Sequence, residues 1–176
     1  MSELLLDVSQ LREARARVDR TLAPDAVAAD QAVCRVVDPI GLQAEVSRDR
    51  DTFRLAGHVR SALELTCCRC LEPFRLPVDE AFDVLYLPHL ENAGEGEREV
   101  EDDDLATAFY RDQVLDLGQL VLEQFYLAVP MKPLCREDCR GLCPLCGTNL
   151  NTAPCSCTVA WEDPRLAPLR NLLKKD

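Results

Sequence analysis

Residues 53–86 read FRLAGHVRSALELTCCRCLEPFRLPVDEAFDVLY, and over most of this stretch the period is two. Phe53, Leu55, Val59, Leu63 and Leu65 alternate with Arg54, His58, Arg60, Glu64 and Thr66, as a strand with one face in a core and the other in water requires. After a turn the pattern resumes, with Phe74, Leu76, Val78, Phe82, Val84 and Tyr86 set against Arg75, Pro77, Asp79, Ala81, Asp83 and Leu85. Leu42, Ala44 and Val46 predict a third strand before them. The pattern is that of an antiparallel sheet. Pro77 cannot donate to a ladder, so the second long strand bends there or lies at an edge.

Beyond residue 105 the period changes. Leu117, Leu120, Val121, Phe125 and Ala128 share one face of a helix that Asp116 caps and Pro130 ends, and this helix should cover the sheet. Asp163 and Pro164 open a second helix with Leu166, Leu169, Leu172 and Leu173 on one face. Leu11 to Leu22, rich in Arg and Ala, reads as a short helix or an irregular arm. The expected fold is α+β: an antiparallel sheet covered by helices, with a small C-terminal cysteine-rich metal-binding module. Residues 1–131 form the α+β domain and 132–176 the cysteine-rich zinc module with its helix.

Charge is concentrated. The chain has 176 residues and a net charge of −11, and ENAGEGEREVEDDD at 91–104 sets eight acids against Arg98, leaving −4 for everything else. That run reads as a solvated loop. Residues 132–176 carry seven Lys or Arg against five acids, a mildly positive end. No apolar stretch approaches the roughly 20 residues of a membrane span. The N-terminus MSELLLDVSQLREARARVDR lacks a basic start and an apolar h-region, so the expected location is cytoplasmic.

In a reducing compartment ten cysteines point to metal before disulfides. Six fall in CREDCRGLCPLCGTNLNTAPCSC, residues 135–157, as Cys135, Cys139, Cys143, Cys146, Cys155 and Cys157. Cys143-Pro-Leu-Cys146-Gly is a knuckle: two sulfurs aimed at one ion, with Gly147 free to take the left-handed turn that follows. Two arrangements fit. One ion could take this knuckle plus either neighbouring pair; or Cys67 and Cys70 could join the six, giving eight sulfurs, two tetrathiolate sites, and only Cys34 and Cys68 left over. The first is simpler; the second ties the sheet to the C-terminal module. Four soft thiolates with no histidine favour a closed, structural zinc site, with iron–sulfur ligation and plain packed thiols as the rivals.

Catalytic patterns are sparse. No phosphate loop, dinucleotide fingerprint or GxSxG occurs, and His58 and His89 read as surface residues. Cys67 and Cys70 could serve a thiol oxidoreductase, and Asp102 to Asp104 a metal-dependent nuclease, but neither has supporting groups nearby in the sequence.

The order of features, with Cys67-Cys68-Arg69-Cys70-Leu71, an acidic run, LAVPMKPLC ending at Cys135, CRGLCPLCGTNLN from Cys139 to Asn151, and DPRLAPLRNLL, resembles the YceD family of large ribosomal RNA subunit accumulation proteins. The resemblance runs from about Leu42 onwards. It implies a part in making or preserving 23S ribosomal RNA, although some members lack most of the C-terminal cysteines. The expectation is a noncatalytic ribosome-biogenesis factor that binds pre-large-subunit RNA or an associated ribosomal protein, with no membrane and no small-molecule substrate. The alternatives are a thiol oxidoreductase, an RNA-processing enzyme or a zinc-ribbon transcription adapter.

Overall fold

The computed structural model describes residues 4–11, 14–89 and 107–158. Its strands are β1 (Leu5–Asp7), β2 (Arg15–Leu22), β3 (Arg35–Val36), β4 (Ile40–Asp49), β5 (Thr52–Thr66), β6 (Pro73–Pro88), β7 (Thr107–Tyr110) and β8 (Val114–Asp116), followed by α1 (Leu117–Ala128). The main sheet runs β2-β4-β5-β6-β7, with β3 beside β5, and β1 pairs β8 separately.

The alternating residues of 53–86 form the long β5–β6 hairpin, paired in unbroken register from Phe53↔Tyr86 to Thr66↔Pro73. Phe53, Leu55, Val59, Leu63, Val78, Phe82 and Tyr86 turn one face inward, joined by Ile40, Leu42 and Val46 of β4. Leu117, Leu120, Val121 and Phe125 of α1 lie in the same buried cluster. The helix begins where the Asp116 carboxylate accepts from the Gln119 N–H at 3.0 Å and stops at Val129, before Pro130. The opposite face of the sheet is solvated and laced by cross-strand ion pairs, among them Arg54–Asp83 and Arg35–Glu64.

Pro77 occupies the edge its chemistry demands. Its partner Ala62 points its carbonyl away from β6, accepting from the Val37 N–H at 3.0 Å. Ala62 and Pro77 are therefore a non-hydrogen-bonded pair, and the proline nitrogen faces outward, where β7 does not reach because it pairs only Leu85–Pro88.

Three expectations need correction. The sheet is mixed, because β6 and β7 run parallel; the 18 residues between Pro88 and Thr107 exceed the dozen or so that a parallel crossover needs. One helix, not several, covers it among the described residues. Among the described residues Leu11 to Leu22 contributes no helix: Arg15–Leu22 is edge strand β2, paired along its length with β4, where Val18 and Leu22 are buried and the pairing overrides the helical preference of Arg and Ala. The acidic run 91–104 and the helix expected at 163–173 lie outside the described residues.

The hairpin also fixes where the chemistry sits. Strand β4 pairs β5 only as far as Arg60, and β3 meets Leu63 and Glu64. The last residues of β5 and the first of β6 thus run on beyond β4, carrying the Cys67–Glu72 turn.

Candidate metal centres

Two backbone turns in this chain are built alike. At the hairpin tip the Leu71 N–H donates to the Cys67 carbonyl at 2.9 Å and the Cys67 N–H to the Glu72 carbonyl at 2.9 Å. In the C-terminal segment the Gly147 N–H donates to the Cys143 carbonyl at 2.9 Å and the Cys143 N–H to the Thr148 carbonyl at 2.8 Å. The residue after the second cysteine is left-handed in both, Leu71 at φ 61° and Gly147 at φ 73°. Each turn presents two sulfurs from one side and backbone N–H groups to both of them.

Each knuckle meets a second cysteine pair. Cys67, Cys70, Cys135 and Cys139 form one group and Cys143, Cys146, Cys155 and Cys157 another, with all Sγ atoms of a group within 4.8 Å of one another. Four sulfurs at 2.3 Å from one zinc ion stand about 3.8 Å apart. Cys67 and Cys139 are 3.8 Å apart and Cys70 and Cys135 3.7 Å; Cys155 stands 3.4 Å from both Cys143 and Cys146. Of the two arrangements weighed above, this is the one with eight sulfurs in two groups. Cys34, buried in the core, and Cys68, exposed, lie outside both.

The groups differ in setting. Cys67, Cys70 and Cys139 are 0%, 4% and 3% exposed and pack with Phe74 and Leu134. In the outer group only Cys143 is buried, while Cys146 and Cys157 are exposed. The inner group also joins two parts of the chain. The Cys68 N–H donates to the Pro133 carbonyl, the Leu142 N–H to the Arg69 carbonyl, and the Arg69 guanidinium to the Cys139 carbonyl at 2.9 Å. Gly141, at φ 73°, lets the backbone approach Arg69, since a Cβ there would stand 3.0 Å from the Arg69 carbonyl oxygen.

Electrostatics within each group are uneven. Burial raises the Cys67 thiol, but the N–H groups of Cys70, Cys135 and Arg69 outweigh it and bring it down to about 6. Cys135 is pushed up to about 12 by burial and by Cys139 and Cys70. Outside, the Thr148 hydroxyl and N–H bring Cys146 down to about 6, while Cys155 and Cys146 push Cys157 up to about 12. Four thiolates this close repel one another, so full ionisation calls for a central cation. The donor set, soft sulfur only and with no position left for water, fits a structural zinc ion.

Residues that spacing did not single out complete the surroundings. The Asn151 amide donates to Cys139 Sγ at 3.4 Å and its Oδ1 accepts from the Arg140 N–H and the Arg136 guanidinium, holding the loop between the groups. Thr148 Oγ1 lies 3.1 Å from Cys146 Sγ. The visible signal for both was their place inside GLCPLCGTNLN. His58 and His89 sit far from this chemistry, His58 beside Asp79 and His89 beside Arg111.

The family described as large ribosomal RNA subunit accumulation protein YceD matches residues 55–173, about two thirds of the chain and both knuckles. The chain belongs to the YceD family. A YceD relative, the chloroplastic large ribosomal RNA subunit accumulation protein YCED homolog 1 of Zea mays, is 30% identical over 159 residues, covering 77% of this chain and 54% of its own length. Its counterpart in Arabidopsis thaliana is 29% identical over 158 residues, 76% of this chain and 48% of that protein. An uncharacterized protein of Mycobacterium tuberculosis is 31% identical over 134 residues, 76% of this chain and 62% of that protein. The chain thus spans about half to three fifths of the length of these relatives. No solved structure matches it. Among the described residues no helix is long and apolar enough to cross a membrane.

Proposed function

We propose that the protein is a noncatalytic, cytoplasmic ribosome-biogenesis factor that supports accumulation of 23S ribosomal RNA, with one zinc ion holding its C-terminal module to the sheet and a second closing that module on itself. The observation that carries the role is family membership: relatives across three quarters of this chain bear the name of large ribosomal RNA subunit accumulation. The two four-sulfur groups support the zinc reading.

A net charge of −11 disfavours extended binding along phosphates, since RNA affinity rests largely on Lys and Arg displacing counterions. Contact with the pre-large subunit therefore runs through a small surface or through an associated basic ribosomal protein, and the acidity favours the second. Closed sulfur sites without a water position favour a structural over a catalytic role. The deep burial of Cys67 disfavours thiol exchange, which needs an accessible attacking sulfur.

The test is depletion in the host, reading 23S against 16S ribosomal RNA and the subunits on a sucrose gradient. Selective loss of 23S RNA and large subunits is expected. An unchanged ratio under full depletion overturns the role and leaves the metal reading to stand alone.

A further inference from the structure

The two sulfur groups share one backbone design and differ in access, and that difference has chemical consequences. Attack on peroxide follows thiolate exposure. The inner group has three buried sulfurs walled by Phe74 and Leu134, and its one sulfur in reach of water, Cys135, has the buried Cys70 as its neighbour at 3.7 Å. The outer group offers Cys146 and Cys157 to solvent, and Cys155, partly exposed, stands 3.4 Å from Cys146. An exposed sulfur with a second one in contact is the arrangement of an oxidising cysteine and its resolving partner.

We infer that the outer group is an oxidation site, at which peroxide converts Cys146 and Cys155 to a disulfide and frees the outer zinc ion while the inner ion stays bound. The inference rests on the zinc reading above. The Cys146 thiolate attacks one peroxide oxygen; the O–O bond breaks, hydroxide leaves and Cys146 becomes a sulfenic acid. The Cys155 thiolate then attacks that sulfur, the S–S bond forms and a second hydroxide leaves. Two thiolates have lost two electrons and hydrogen peroxide has gained them. The ion keeps only Cys143 and Cys157 and passes to water or a chelator. The sulfurs must close from 3.4 Å to about 2.05 Å, a small movement in a short exposed segment.

The inner group answers differently because of what it joins. Among the described residues, the hydrogen bonds from 132–158 to the rest of the protein end on residues 67–70. Oxidation outside therefore leaves the module docked, changing its outer half alone.

The experiment takes the full-length zinc-loaded protein, first counted for metal by elemental analysis, then treated with hydrogen peroxide in the presence of a zinc-sensitive dye. One equivalent is expected to leave in a fast phase, with the second about tenfold or more slower because it waits on local opening. Differential alkylation and mass spectrometry should find Cys146 linked to Cys155, with Cys67, Cys70 and Cys139 still reduced. In Cys155→Ser a sulfenic acid should persist at Cys146, where a dimedone adduct captures it. Release of both ions in one phase, oxidation beginning in the inner group, or no link between Cys146 and Cys155 overturns the inference. Fewer than two zinc equivalents before peroxide refutes the metal reading instead, and the alkylation map then decides the oxidation site on its own.

Discussion

Replacing Cys139 by serine should cost the fold more than replacing Cys155, and the difference follows from what each ion ties together. An ion in the inner group would join Cys70 to Cys135, 65 residues apart; one in the outer group would join Cys146 to Cys155, 9 apart. Treating each ion as a cross-link on the unfolded chain, loop-closure entropy gives about 4.3 kcal/mol for the first and about 2.6 kcal/mol for the second. The gap is about 1.7 kcal/mol, or roughly 3–7 °C in Tm for a chain of this size. Loss of packing around Cys139, 3% exposed, widens it further. The assay is thermal unfolding of both variants and the parent at saturating zinc, with bound metal counted in each. Each variant should keep one ion. Equal losses, or a lower Tm for Cys155→Ser, would refute the reasoning that the inner ion is the long-range clasp.

Three further outcomes are expected. Tyr86, buried and facing Glu123 and Asp116, has its phenol pushed up to about 12; stability is whole below pH 10, where the unfolded phenol titrates, and falls by about 2–3 kcal/mol as pH rises toward 12. Urea titrations across that range should show the fall shrink in Tyr86→Phe. Gly57→Ala should cost about 3 kcal/mol or more, because a Cβ there would stand 2.1 Å from the Gln43 carbonyl oxygen and 2.6 Å from Ala44 Cα, both backbone; chemical denaturation with no loss would contradict the close approach of β4 and β5. Gly147→Ala, in open space at φ 73°, should lose about 1 kcal/mol from backbone strain alone, whereas Leu71→Gly, exposed at φ 61°, should lose nothing or gain; matched denaturation curves test the pair.

The hairpin could be read from residues because each alternate side chain from Phe53 to Tyr86 either enters the core or faces water, and burial on one face leaves a strong imprint. The same holds for α1, whose Asp116 cap and Pro130 stop are local chemistry. Strand β2 carried a weaker imprint: Ala16, Val18 and Leu22 alternate with Arg15, Arg17, Asp19 and Thr21, but Arg20 falls in the inward row, and pairing with β4 decided the strand. The parallel neighbour of β6 was hidden for another reason. Thr107–Tyr110 is four residues long, and its direction depends on a long connection rather than on anything in those four. At the sulfur sites spacing found the pairs but not the partners. Whether Cys135 and Cys139 join Cys143 and Cys146 or Cys67 and Cys70 depends on where the β5–β6 hairpin ends in space, a long-range fact.

The outward-facing proline nitrogen of β6 bears on the company this protein keeps at high concentration. Pro77 faces the rim, and by the same alternation so does every second residue, beginning with Pro73. A strand from another copy laid along that rim would look for amide donors and find none at Pro73 or Pro77, so the ladder would break twice within its first five residues. The sheet edge that β7 leaves unpaired among the described residues is in this way made a poor seed for edge-to-edge aggregation, while the hairpin reaches outward to carry its sulfur-bearing tip.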